Sequence, residues 1–444
     1  MERRTLAFSL PKFGTSVVMG IADFSLATLY ILGYGLAPIL GATILALGKI
    51  TIAASQFFFG WISDQTYVSK WGRRKPYMLI LSPLLGISTI FMLLPSLIIP
   101  LEDKNLVFIW LLVWYLLFNI GYGVTTPYGS WMAEQFSVDE RPKASQWQNL
   151  FGMIGTGVMS LFSMLILTGF DEKIEADPTT IPFDFLISVF IFGIIVIALF
   201  YVSAFTMPTE PRHEIKTSML DRLKLLLKNR NYLLVTLMVG LASIAWSIIG
   251  SLILLFMEEV LKFGGLLYIP IAAAYLIGIL AFLYFWRKMI TNIGKKKSLL
   301  YIFLLAIIAL PFSLLGLLQI GTAFTFIYGL IFILAVAGAL GGWYLLPAIL
   351  YSDLAEDDEK RTGELKAGIY QGFPSIILNI FQAFGLMIMG LILELPNINL
   401  IIPATGLDIS FGYVLWGPIC AAVLIITYFY AKKFIIVDFE WENK

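Results

Sequence analysis

Asp23 and Lys49 are opposite charges placed inside apolar runs long enough to cross a bilayer. Asp23 stands ten residues into the run from Phe13 to Gly35, and Lys49 about eleven into the run from Pro38 to Ile62. At 1.5 Å of rise per residue, each lies roughly 15 Å deep, near the middle of a hydrocarbon layer about 30 Å thick. The chain reverses between them, so they can meet at one depth on neighbouring helices. An ionisable side chain there costs about 2.5–3.5 kcal/mol on insertion scales and is a functional candidate by default. Two chemistries are open to the pair. A static buried ion pair would lock the two helices together. A coupling-ion site would let Asp23 take a proton when the pair separates, because a neighbouring ammonium lowers a carboxyl pKa and burial raises it.

A second set could recognise a hydroxylated ligand, which needs hydrogen-bonding partners and an aromatic face. The fourth apolar run offers Asn119, Tyr122, Thr125 and Thr126. Asn119 and Tyr122 are three apart and Tyr122 and Thr126 four apart, which puts these three on one helix face. The fifth run opens with Gln146, Trp147, Gln148 and Asn149, and the second half adds Trp246, Trp343, Tyr344, Gln371, Asn379 and Gln382. For each the plainer role stays open, since Thr hydroxyls bond within their own helix and Trp and Tyr anchor at membrane interfaces. Cys420 is the single cysteine and His213 the single histidine. An internal disulfide, a cysteine or histidine metal centre and a Ser-His-Asp triad are therefore not expected. With no phosphate-binding loop and no nucleophile–base pair, the reading is of a chain that is not an enzyme and needs no metal or cofactor.

The elements that must position these residues follow from composition. The chain is 59% hydrophobic and 13% charged, with mean hydropathy +0.87, against about 25% charged in a soluble domain. That is an all-α integral membrane protein, and a net charge of +1 carries no nucleic-acid signal. Apolar windows of spanning length recur twelve times. The longest polar interruption, Pro208 to Asn231, falls after the sixth. The expected organisation is a six-helix bundle over 1–207, a cytosolic linker over 208–231, a second bundle over 232–431 and a cytosolic tail over 432–444. The first run lacks a small-residue cleavage site and reads as a retained helix. With the N-terminus inside, the outward segments hold only Lys104, Lys173 and Lys262 of 30 basic residues, and Lys49 is intramembrane. This predicts a multi-pass protein of the cell membrane with both termini cytoplasmic.

The halves echo each other at an offset of 222 residues. Trp71-Gly72-Arg73-Arg74-Lys75 follows the second span, and Ile293-Gly294-Lys295-Lys296-Lys297 follows the eighth. Ala133-Glu134 follows the fourth, and Ala355-Glu356 the tenth. Two similar six-helix halves suit a transporter with its site near the membrane midplane.

Gly60-Trp61-Ile62-Ser63-Asp64 followed by Gly72-Arg73-Arg74-Lys75-Pro76 resembles the loop signature of the major facilitator superfamily. Seven residues separate Asp64 from Gly72. That spacing resembles the glycoside–pentoside–hexuronide:cation symporter family, which includes melibiose and sucrose carriers. Pro127-Tyr128-Gly129 with Asp139-Glu140-Arg141, Leu226 to Arg230, and Asp353 to Asp357 with Gly363 to Gly372 agree with it in order. The resemblance implies the major facilitator fold, two six-helix bundles that alternate access, and proton-coupled symport of a sugar or glycoside by a monomer. It assigns gating roles to Gly60, Asp64, Gly72, Arg73, Arg74, Asp353, Asp357 and Arg361, and a sugar-stacking aromatic to Tyr344. The chain departs at Ile52 and Gln56, where sodium-coupled members carry two Asp, so protons or no coupling are favoured over sodium. A lysophospholipid carrier is one alternative, and a non-transporting receptor or scaffold another.

Overall fold

Hydrocarbon offers no partner to a free N–H or C=O, so a span must close its own backbone bonds as a helix. The computed structural model describes residues 2–137, 140–167, 181–210, 224, 227–263, 268–319, 321–362 and 374–436. Twelve helices among them are long and apolar enough to cross a membrane. They are α1 (Arg3–Gly33), α2 (Pro38–Gln65), α3 (Lys75–Leu93), α4 (Lys104–Met132), α5 (Lys143–Leu167), α6 (Phe183–Thr206), α7 (Arg230–Val260), α8 (Ala273–Ile293), α9 (Lys295–Leu317), α10 (Thr322–Asp358), α11 (Pro374–Leu393) and α12 (Gly412–Phe434). The protein is an all-helical, multi-pass membrane protein. α1 starts ten residues before the expected apolar run, so Lys12 lies within a helix and not in a leading segment.

The chain divides into two compact units, Met1–Met219 and Leu220–Lys444. In unit 1, α1 packs on α5 and α6, α2 on α4, and α3 on α4 and α6. In unit 2, α7 packs on α11 and α12, α8 on α10, and α9 on α10 and α12. The two lists are the same list shifted by six helices. Small residues set the closest approaches, as expected where lipid gives helices no hydrophobic reason to associate. A Cβ added at Gly155 of α5 would lie 2.5 Å from the Phe13 carbonyl oxygen of α1, and one at Gly385 of α11 would lie 2.5 Å from that of Ile244 on α7.

The repeat also extends to backbone detail. α1 ends in a π-turn, Leu29–Gly33, and α7 in a π-turn, Phe256–Val260. Tyr34 N–H bonds Leu29 O at 2.9 Å and Leu36 N–H bonds Tyr30 O at 2.8 Å. Leu261 N–H bonds Phe256 O at 3.1 Å and Phe263 N–H bonds Met257 O at 3.0 Å. Each cap turns on one left-handed residue, Gly35 at φ 61° and Lys262 at φ 53°. Below, the near end of a unit is the end at which its first helix starts.

Candidate functional site

In unit 1, Lys49 Nζ meets Asp23 Oδ1 at 2.5 Å. Lys49 is eleven residues from the start of α2 and Asp23 ten from the end of α1, so both lie about 15–17 Å from the far end. The backbone of α1 is not regular here. Asp23 sits in a second π-turn, Ile21–Ser25, the kind of local bulge that often accompanies functional positions. The turn is held to α5 by a short hydrogen bond between the Ser25 and Ser163 hydroxyls. Exposure divides the pair unequally. The Lys49 side chain is 6% exposed and that of Asp23 33%, so the carboxylate is the partner that can be reached. Tyr115 and Tyr122 of α4 lie within electrostatic reach of it.

The backbone of α4 tightens beside its candidates. Gly123 N–H bonds Ile120 O, Val124 N–H bonds Gly121 O and Thr126 N–H bonds Gly123 O, each across three residues. The helix tightens there, and three-residue spacing replaces four. Thr125 and Thr126 both meet α2. The Thr125 hydroxyl donates to Tyr122 O at 2.9 Å and accepts from Gln56 Nε2 at 3.2 Å. Thr126 turns onto α2, where a Cβ added at Gly60 would lie 2.8 Å from its methyl. Asn119 is fully buried. Its Nδ2 donates to Tyr115 O at 2.8 Å, which fixes the amide orientation, and its Oδ1 has no partner among the described residues. Gln148 of α5 donates to the Tyr128 hydroxyl at 2.8 Å, and that hydroxyl donates to Phe8 O at 2.6 Å, so Gln148 ties three helices together. Trp147 packs on Phe151.

In unit 2, Trp343 is buried between Trp246, stacked at 5.8 Å, and Phe303 at 6.0 Å, while Tyr344 is half exposed. Asn379 is buried and donates to Ser375 O of its own helix at 2.8 Å. Gln371 lies outside the described residues, as does the side chain of Arg361.

The gating candidates of unit 1 form a closed network at its near end. Arg74 meets Asp64 at 2.5 Å and Glu134 at 2.7 Å, and donates to Ser63 Oγ at 2.7 Å. Burial works against the Arg74 charge, but Asp64 and Glu134 outweigh it and hold the guanidinium above its ordinary pKa. Sequence reasoning missed the centre of this network. Glu210 is 3% exposed. Its carboxylate accepts from the backbone N–H of Arg73, from that of Arg74 at 3.0 Å and from Trp131 Nε1 at 3.0 Å. The first N–H groups of a helix have no partner in the helix and carry partial positive charge, so Glu210 caps α3 from 136 residues away. Lys75 answers it by donating to Met207 O, past the end of α6, at 2.7 Å. Gly72 makes room. Its φ is 75°, and a Cβ there would lie 2.6 Å from the Glu210 carboxyl. Thus Pro208–Glu210, expected as linker, belong to the packing of unit 1. In unit 2 the corresponding turn holds Gly294 at φ 88°, Lys295 meets Asp353 at 2.7 Å, and Asp357 is buried.

A family profile described as MFS/sugar transport protein matches residues 7–432. Among solved structures, a D-xylose-proton symporter is 15% identical, over 98% of this chain and 97% of that one, with a TM-score of 0.67. The nucleoside transporter NupG, in a D323A mutant, is 15% identical over 97% and 99%, with a TM-score of 0.64. The inward-open xylose transporter XylE from E. coli is 15% identical over 98% and 96%, with a TM-score of 0.63. At this identity the likeness is one of fold, the major facilitator fold. No curated protein matches the chain.

Proposed function

Because the chain belongs to the MFS/sugar transport protein family and is a membrane transporter of that type, we propose that it is a secondary active transporter carrying a sugar or glycoside together with a proton by alternating access. The observation that carries the proposal is the Asp23–Lys49 pair at 2.5 Å, with an accessible carboxylate and an enclosed ammonium. In the closed pair the Asp23 carboxylate is bound to the Lys49 ammonium, and a conformational change that separates the two helices at this depth frees it, which is what a coupling site requires. A substrate hydroxyl then takes the place of the carboxylate as the partner of Lys49.

The remaining assignments follow from the same reading. Asn119, Tyr122, Thr125, Thr126, Trp147, Gln148, Trp343, Tyr344, Gln371 and Asn379 supply substrate contacts. The Arg74 network and the Asp353 group, with Gly60, Gly72, Arg73, Asp357 and Arg361, stabilise one conformational state. The bias of Lys and Arg supports a cell-membrane reading with the near ends and both termini cytoplasmic. The transporter works as a monomer.

The test is uptake into proteoliposomes of D-xylose, glucose, sucrose, melibiose, uridine and one lysophospholipid, with and without an imposed pH gradient. Accumulation of at least one sugar that collapses with the gradient is the expected result. Accumulation driven by sodium alone, or uptake confined to uridine or the lysophospholipid, overturns the sugar–proton assignment.

A further inference from the structure

An exposed apolar face on a spanning helix meets lipid, and the polar groups set along it select the headgroup. α8 packs on α10 through Gly278, Phe282 and Trp286. Turned away from that contact, Ile277, Tyr284 and Lys288 share one face at helical spacing, all exposed, with Tyr284 at 73%. α9 carries the same order in reverse. Lys297, Tyr301, Leu304 and Ile308 share its exposed face. The two helices are consecutive and in contact. Tyr284 lies nine residues and Lys288 five before the end of α8, and Tyr301 lies six and Lys297 two after the start of α9. At 1.5 Å per residue, the phenol rings are about 9–14 Å and the lysine backbones about 3–8 Å inside the near end. That is the layering of a membrane interface. Apolar side chains lie deepest, aromatic rings next, and ammonium groups reach outward on their stems to the headgroups.

The charge on this face is not answered from within. No Asp or Glu occurs between Glu259 and Asp353. Asp353 is taken by Lys295 at 2.7 Å, and Lys288 and Lys297 meet no carboxylate among the described residues. Lys297 also stands in the first turn of α9, where the helix dipole disfavours a cation. The repeated scaffold does not require any of this. At the offset of 222 residues, unit 1 has Ile62 for Tyr284, Thr66 for Lys288 and Leu79 for Tyr301. Lys75, the counterpart of Lys297, is buried and donates to Met207 O.

We propose that the outer face of α8 and α9 binds an anionic phospholipid at the near end, with Lys288 and Lys297 engaging its headgroup and Tyr284 and Tyr301 lying beside its glycerol and upper acyl carbons. A zwitterionic headgroup would return positive charge to a face that already has it in excess, so the site discriminates by net charge. It lies in unit 2 and is independent of the Asp23–Lys49 pair of unit 1.

The experiment is native mass spectrometry of the full chain in neutral detergent, titrated with dioleoylphosphatidylglycerol, dioleoylphosphatidylcholine or inorganic phosphate. It compares wild type with Lys288→Gln, Lys297→Gln and their double variant. A control double variant, Lys70→Gln with Lys228→Gln, removes the same charge from exposed positions elsewhere. Wild type is expected to bind phosphatidylglycerol more tightly than phosphatidylcholine. Each single variant should weaken phosphatidylglycerol about fivefold, as for one juxtamembrane lysine, and the double variant about twentyfold. The control should stay within about twofold, and phosphatidylcholine binding should not change. Without lipid, Lys297→Gln is expected to melt at or above the wild-type temperature, because it removes a cation from a helix start. Four results overturn the proposal. They are equal affinity of wild type for the two lipids, an equal loss in the control, displacement of phosphatidylglycerol by millimolar phosphate, and a lower melting temperature for lipid-free Lys297→Gln. The second would mean a diffuse charge effect, the third a site for a free anion, and the fourth a partner within the protein.

Discussion

At the near end of unit 1, Gly72 turns the chain into α3, Arg74 bridges two carboxylates, and Glu210 caps the helix. At the near end of unit 2, Gly294 turns the chain into α9, and Lys295 meets Asp353. The backbone repeats and the partners do not. At the offset of 222 residues, Trp286 stands for Asp64, Lys432 for Glu210 and Asp353 for Trp131. The same contrast runs through the membrane. Unit 1 buries a lysine against an aspartate, whereas unit 2 buries neutral tryptophan and tyrosine donors. One scaffold thus carries a charge pair in one copy and enclosed neutral donors in the other.

The largest effect should come from removing the charge that only unit 1 has. Asp23→Asn keeps the shape and a hydrogen bond to Lys49 but cannot exchange a proton at neutral pH. With one proton per substrate, a gradient of one pH unit supports about tenfold accumulation. The variant is expected to accumulate nothing beyond the outside concentration while still exchanging labelled for unlabelled substrate across the liposome. Accumulation by Asp23→Asn would leave the pair as a structural lock and overturn the proposed coupling role.

Next in size is the difference between the two near ends. Glu210→Ala strands two helix N–H groups and the Trp131 indole, and should cost about 1–3 kcal/mol or more. Asp353→Asn weakens the ion pair with Lys295, whose side chains are 14% and 18% exposed. It should cost nearer 1 kcal/mol. Thermal unfolding of the two variants in one detergent measures the contrast directly. Equal losses would mean that unit 2 has a clasp as strong as that of unit 1.

Much of this was legible before any coordinates. Twelve spans, their six-plus-six division and the paired turns at Gly72 and Gly294 follow from hydropathy and from spacing, which depend on composition along the chain. The Asp23–Lys49 contact was legible because opposite charges at one depth leave few other partners. Glu210 was not. It sits in Pro208-Thr209-Glu210-Pro211, which reads as solvated linker, and its burial depends on a helix start far away in sequence. The tightening of α4 was not legible either, because three-residue hydrogen bonds at Gly123 and Val124 leave hydropathy unchanged. The π-turns in α1 and α7 escaped for the same reason.

Those π-turns supply the smallest and most symmetric test. Gly35 and Lys262 occupy one position of a repeated cap, at φ 61° and 53°. A residue with a Cβ is strained there by about 1 kcal/mol or slightly more, so the two units hold the same conformation at different cost. Lys262 gains little in return. Its contact with Glu259 is 3.4 Å long and its side chain is 59% exposed, and such a pair is worth about 0–1 kcal/mol. Lys262→Gly should therefore stabilise the protein by about 0.5 kcal/mol, after allowing for the added freedom of glycine in the unfolded chain. Gly35→Ala should destabilise by about 1 kcal/mol. A Cβ at Gly35 would also approach Lys104 Nζ to 3.1 Å, and that group donates to Tyr34 O at 2.8 Å to close the cap. Opposite shifts in melting temperature are the signature of one backbone device built twice. A loss of stability in Lys262→Gly would mean that the lysine side chain, and not the left-handed turn, holds the far end of α7.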